Sequence, residues 1–99
     1  MNILKNQKDA NLTISLEGRL DTSTSPQLEN ELRTALNGIS ELVFDLAKLD
    51  YISSAGLRVL LSAQKTMNKQ GEMEIRNVKP EIMEIFEVTG FVDILTIRE

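Results

Sequence analysis

The sequence predicts an α/β domain built on a mixed, mostly parallel sheet of about five strands with three main helices. Two observations carry this prediction. Apolar residues recur at every second position near residues 12–16 and 72–77, as in strands with one buried face. Between and after these stretches the apolar period lengthens to that of a helix, and the two patterns alternate through the middle of the chain. Such alternation implies right-handed crossovers between parallel strands.

Residues 1–7 can pair as a short N-terminal strand, the only place where an antiparallel partner is expected. Leu12, Ile14 and Leu16 alternate with Thr13, Ser15 and Glu17, and Gly18 follows as a break. In DTSTSPQLENELRTALNG, Leu28, Leu32, Ala35 and Leu36 share one helical face. Thr24 with Gln27 resembles a capping box, Pro26 suits a first turn, and Gly38 ends the helix. Glu41 to Leu46 is a mostly apolar run, expected to be a central strand covered on both faces. A second helix follows, with Gly56, Val59, Leu60, Ala63 and Met67 on one side and Gly71 as its stop. Glu72 to Asn77 reads as a strand. Pro80 opens a short helix whose apolar residues are Ile82, Met83, Ile85, Phe86 and Val88, Gly90 closes it, and a last strand is expected near Ile94 to Ile97.

Composition removes several functions. Ninety-nine residues with 41% hydrophobic content suit one domain, taken as 1–99, with a single core. Eleven basic against 15 acidic residues, and no basic run, argue against a nucleic-acid partner. Cysteine and histidine are both absent. That removes disulfides, thiolate metal sites, the usual general base and the Ser-His-Asp triad, and no cofactor is implied. The N-terminal stretch is too polar for a signal peptide and no apolar run is long enough for membrane insertion, so a soluble, cytoplasmic protein is expected.

The chemistry concentrates in LVFDLAKLDYISSAGLRVLL, residues 42–61, where a strand passes into a helix through Ser53 and Ser54. Ligands of α/β sheets bind at this end of the strands. A serine here can simply cap the helix by bonding a free amide. With two serines, one can cap while the other turns its hydroxyl outward, and Ala55 and Gly56 keep the adjoining surface low. Catalysis is poorly supplied, because only Lys, Asp or Glu is available as a base. No Gly-Lys-Ser or Gly-Lys-Thr phosphate loop accompanies Gly56.

These residues, together with EGRLDTSTSPQLENEL upstream, strongly resemble the STAS domain of bacterial anti-sigma factor antagonists. The resemblance covers essentially the whole chain. Relatives typically carry Asp-Ser-Ser-Gly-Leu or Asp-Ser-Thr-Gly-Leu, in which the first hydroxyl residue is phosphorylated. Aligning Gly56-Leu57 makes Ser54 the implied acceptor, places Ser53 where the family has an aspartate, and puts Ala55 in place of the second hydroxyl residue. Asp21 matches a family position beside the acceptor. The resemblance implies a non-enzymatic partner switch in transcription regulation. The unphosphorylated domain binds an anti-sigma factor serine kinase and frees a sigma factor, phosphorylation at Ser54 breaks that complex, and a serine phosphatase restores it. Asp21, Thr22, Ser53, Ser54, Gly56, Leu57, Arg58 and Leu61 are the implied partner-binding residues. Alternatives are an unmodified accessory subunit of a lipid-transport ATPase and a serine hydrolase.

Several other residues have a plain and a sharper reading. Leu57 and Leu61 widen the apolar arc of the second helix, either to pack against a neighbouring helix or to extend the docking surface with Arg58. Asp45 in its apolar strand is most simply bonded to a backbone amide. Met73, Met83 and Phe86 read as core. The Thr22 to Ser25 run reads as turn and capping chemistry, and Glu29, Glu31 and Arg33 as a solvated face.

Overall fold

The computed structural model describes residues 1–98. In chain order the elements are β1 (Asn2–Lys8), β2 (Asn11–Leu20), α1 (Ser25–Ala35), β3 (Glu41–Ile52), α2 (Ser54–Gln70), β4 (Glu72–Arg76), α3 (Pro80–Thr89), a 3-10 turn (Phe91–Asp93) and β5 (Ile97–Arg98). The sheet order is β1-β2-β3-β4-β5, with β1 antiparallel to β2 and every later pairing parallel. The expected α/β architecture is therefore the observed one.

Each parallel crossover steps one strand further in the same direction. With right-handed connections, that order sends all three helices to one face of the sheet. Burial agrees. Leu12, Leu42 and Met73 lie in register across β2, β3 and β4, as do Ile14, Phe44 and Ile75, and all six are buried. Thr13, Val43 and Glu74, the next register row, are only half-buried. The central strand is thus covered on one face, not on both as its apolar run suggests. Phe44, Leu46, Leu60, Met67 and Phe86 are fully enclosed between sheet and helices. Truncating either phenylalanine to alanine would cost about 3–5 kcal/mol.

Two strands run further than their sequence pattern suggests. β3 continues past Leu46 to Ile52, because its pairing with β2 slips twice, first between Ser15 and Glu17 and again between Gly18 and Arg19. Each slip inserts one extra β3 residue, so the buried positions after Leu46 are Leu49 and Ile52, three apart instead of two. Asp45 supports the first bulge, where its Oδ1 accepts the Ala47 amide at 3.0 Å and the Asn77 side-chain amide at 3.1 Å. β2 likewise passes through Gly18 to Leu20, and Gly18 is not a break. Its φ of +99° is a conformation glycine adopts freely within this irregular stretch.

The C-terminal region also departs from expectation. Ile82 and Phe86 face the core and Met83 packs partly against it, but Val88 is 82% exposed. The 3-10 turn displaces the last strand, whose described residues are Ile97 and Arg98, and Ile94 stays outside it. None of the helices is long and apolar enough to cross a membrane among the described residues.

Candidate functional site

Parallel strands β2 and β3 end side by side, and the chain leaves each through a hydroxyl-rich turn into a helix. The two turns are joined through the backbone, since the Ser53 amide donates to the Leu20 carbonyl at 2.9 Å. Gly56 makes this contact possible. A Cβ there would stand 2.8 Å from Leu20 Cγ and 2.9 Å from both Ile52 Cγ1 and the Leu20 carbonyl oxygen, closer than packed atoms tolerate. The first turn of α2 is therefore pressed against the end of β2.

Ser53 is the N-cap of α2. Its backbone is extended, with φ −98° and ψ 174°, and its Oγ accepts the Gly56 amide at 3.3 Å. Its carbonyl accepts the Leu57 amide at 2.9 Å, the first turn of the helix. One serine therefore answers the helix's need for a cap. Ser54 is the first residue inside the helix and is exposed, and its hydroxyl makes no hydrogen bond among the described residues. The structure separates two hydroxyls that stand next to each other in sequence.

The neighbouring turn is organised by Asp21. Its Oδ1 accepts the Ser23 amide at 3.0 Å, the Ser23 hydroxyl at 2.8 Å and the Thr24 amide at 3.1 Å. The Ser23 hydroxyl bond, followed by the Thr24 amide bond, holds the Asp21 carboxyl down to about 2 from its ordinary 3.8. Thr24 does not close a capping box with Gln27. It is helical at the N-cap with no side-chain cap bond, and its hydroxyl instead accepts the Asp21 amide at 2.8 Å and donates to the Arg19 carbonyl at 2.8 Å. Ser25 is buried and donates to the Asp21 carbonyl. The turn thus consumes its own hydroxyls, apart from exposed Thr22.

The remaining expected residues divide by burial. Gly56 and Leu57 are buried, Leu57 only 5% exposed, so their part in any interface is to shape it. Leu61 is half-buried and Arg58 exposed. Arg19 and Tyr51, paired in register at the strand ends, add a feature that the sequence pattern did not single out. The Arg19 guanidinium lies 4.2 Å from the centre of the Tyr51 ring, and its Nε is 3.6 Å from Asp21 Oδ2. Only the bulge-shifted register brings these two side chains together. Grooves of about 430 and 350 Å³ lie along β4 and between α1 and α2, and neither is lined by Ser53 or Ser54.

Comparison with known proteins agrees with this fold. The STAS domain family model matches residues 2–99. A Bordetella bronchiseptica protein assigned as an anti-sigma factor antagonist, BtrV, is 38% identical over 99 residues, covering 98% of this chain and 85% of BtrV. The anti-sigma-B factor antagonist of Bacillus subtilis is 26% identical over 98 residues, covering 98% and 90% of the two chains. The Bacillus anti-sigma factor antagonist SpoIIAA shares the fold in both its solved forms. The unphosphorylated form superposes with a TM-score of 0.78 at 16% identity, over 99% of this chain and 88% of its own. The phosphorylated form gives 0.77 at 17% identity, over 99% and 92%. On the family model that spans nearly all of it, and with a five-stranded mixed sheet to match, the chain belongs to the STAS domain family.

Proposed function

We propose that this chain is an anti-sigma factor antagonist whose binding is switched by phosphorylation of Ser54. The observation that carries the reading is the division of labour in the serine turn. Ser53 is engaged as the helix cap, while Ser54 projects from the first helical position an exposed hydroxyl with no hydrogen bond among the described residues. Relatives named as anti-sigma factor antagonists support the class of partner.

In the unmodified state the domain binds an anti-sigma factor serine kinase through the surface around Asp21, Thr22, Ser53, Ser54 and Arg58, shaped from beneath by Gly56 and Leu57 and extended by Leu61. Binding releases a sigma factor. The kinase then transfers the terminal phosphoryl group of ATP to the Ser54 oxygen. The serine proton is lost, ADP leaves, and a serine phosphatase later hydrolyses the phosphoester with water, restoring the hydroxyl and releasing inorganic phosphate. The chain is the substrate of this chemistry and supplies no catalytic group. A phosphate adds roughly −1.5 to −2 charge and three acceptor oxygens at the centre of the surface. A helix N-terminus accommodates that charge, so the block is local and the fold persists.

The test is intact-mass analysis and peptide mapping after incubation with an anti-sigma serine kinase from the same organism and ATP. The expected result is one phosphate, retained by Ser53→Ala and abolished by Ser54→Ala. Phosphate on Ser53, or none with a kinase that binds, overturns the assignment.

A further inference from the structure

The basic residues of this acidic chain are unevenly placed. Seven of the 11 Lys and Arg residues stand within 3.6 Å of a carboxylate oxygen. Among the described residues four have no such partner. One is Lys8 on β1, and the other three, Arg58, Lys65 and Lys69, all lie on α2. That helix contains no acidic residue at all. By contrast, α3 carries Glu81, Glu84 and Glu87 and no basic residue.

The three cations share one line. Ser54, Arg58, Ser62, Lys65 and Lys69 fall at i, i+4, i+8, i+11 and i+15, which brings them onto one stripe running the length of a helix of about 25 Å. All five are exposed. The opposite side of α2, with Gly56, Val59, Leu60, Ala63 and Met67, is buried. Ser54 is therefore the head of a continuous row whose only charges are positive.

We infer that this α2 stripe is a docking face for an acidic surface on the partner protein, with Ser54 at its N-terminal end. The inference rests on the proposed function and adds the chemistry of the partner. Charge complementarity selects the occupant. A net charge of −4 opposes approach to a nucleic acid or an anionic bilayer, whereas a locally acidic protein surface needs to match only one helix. The stripe also explains how one phosphate weakens an extended contact. A dianion on Ser54 stands one helical turn from Arg58 and offsets much of the charge of three cations without any movement of the backbone.

The test uses the whole chain and the purified anti-sigma serine kinase, with association rates measured at low and high salt. Lys65→Glu combined with Lys69→Glu alters only exposed positions well beyond the serine turn. It is expected to slow association by roughly tenfold at low salt, with most of the difference lost at high salt. Lys8→Glu, at the other unpaired cation, is expected to change the rate by less than about twofold. Circular dichroism of each variant confirms the fold. A double variant that associates like the wild type, or a Lys8→Glu variant equally impaired, overturns the inference. So does sedimentation showing that the stripe mediates self-association, or tighter wild-type binding to duplex DNA than to the kinase. Failure of the wild type to bind the kinase at all would instead overturn the proposed function.

Discussion

The turns after β2 and β3 are built from similar residues and do opposite things with them. In the β2–α1 turn, Ser23, Thr24 and Ser25 all bond to Asp21 or its neighbours. In the β3–α2 turn a single side-chain bond, from the Gly56 amide to Ser53 Oγ, suffices, and Ser54 is left over. The difference follows from the acid. Asp21 attracts donors from three groups, so hydroxyls near it become structural, while the second turn is capped by the hydroxyl of Ser53 instead of a carboxylate. A cluster of hydroxyls in sequence therefore says little about which is accessible. The bonds already made decide it.

The contact that couples the turns is the most sensitive place to break this arrangement. Gly56→Val forces atoms against Leu20 and Ile52 and should cost about 2 kcal/mol, read as a fall in Tm of about 10 °C. Ser53→Ala removes the cap and should cost about 1 kcal/mol by chemical denaturation, while Ser54 remains available for phosphorylation. For the Asp21 turn the sign is that of a depressed carboxylate. The stabilising charge is fully present above the unfolded value of about 4 and is lost as pH falls toward 2. NMR titration should find Asp21 ionising near 2, and Ser23→Ala should move it upward. The smallest expected effect is Ser54→Ala, which should leave stability within about 0.5 kcal/mol, since its hydroxyl makes no hydrogen bond among the described residues. Equal losses for the two serine variants would erase the distinction between them.

The element order, the parallel sheet and the core of α2 were legible because their apolar periods are undisturbed from Leu12 to Leu16 and from Gly56 to Met67. The far end of β3 was not. Its two bulges turn a period of two into Leu46, Leu49 and Ile52, a spacing that no strand rule recognises. One-sided coverage of the sheet was hidden for a different reason. Val43 interrupts the alternation with an apolar residue on the open face, and only the strand order shows that every crossover lands on the other side. Val88 is exposed although its apolar neighbours suggest a wider core stripe than α3 needs. At the site, Ser53 as cap and Ser54 as the outward hydroxyl were readable from the turn and its family register. Thr24 was misread because Asp21, three residues earlier, is the stronger competitor for its backbone amide. The Arg19–Tyr51 pair depends on a register shifted by the bulges and leaves no trace in local sequence.

The central claim concerns Ser54 alone, and it is tested most directly by comparing the affinity of the anti-sigma serine kinase for the unmodified chain and for the chain carrying phosphoserine at position 54. The account predicts tight binding of the first, a loss of about a hundredfold or more for the second, and nearly identical amide spectra away from the serine turn. Equal affinity for both forms, or binding lost only through a global change in the spectrum, would contradict it.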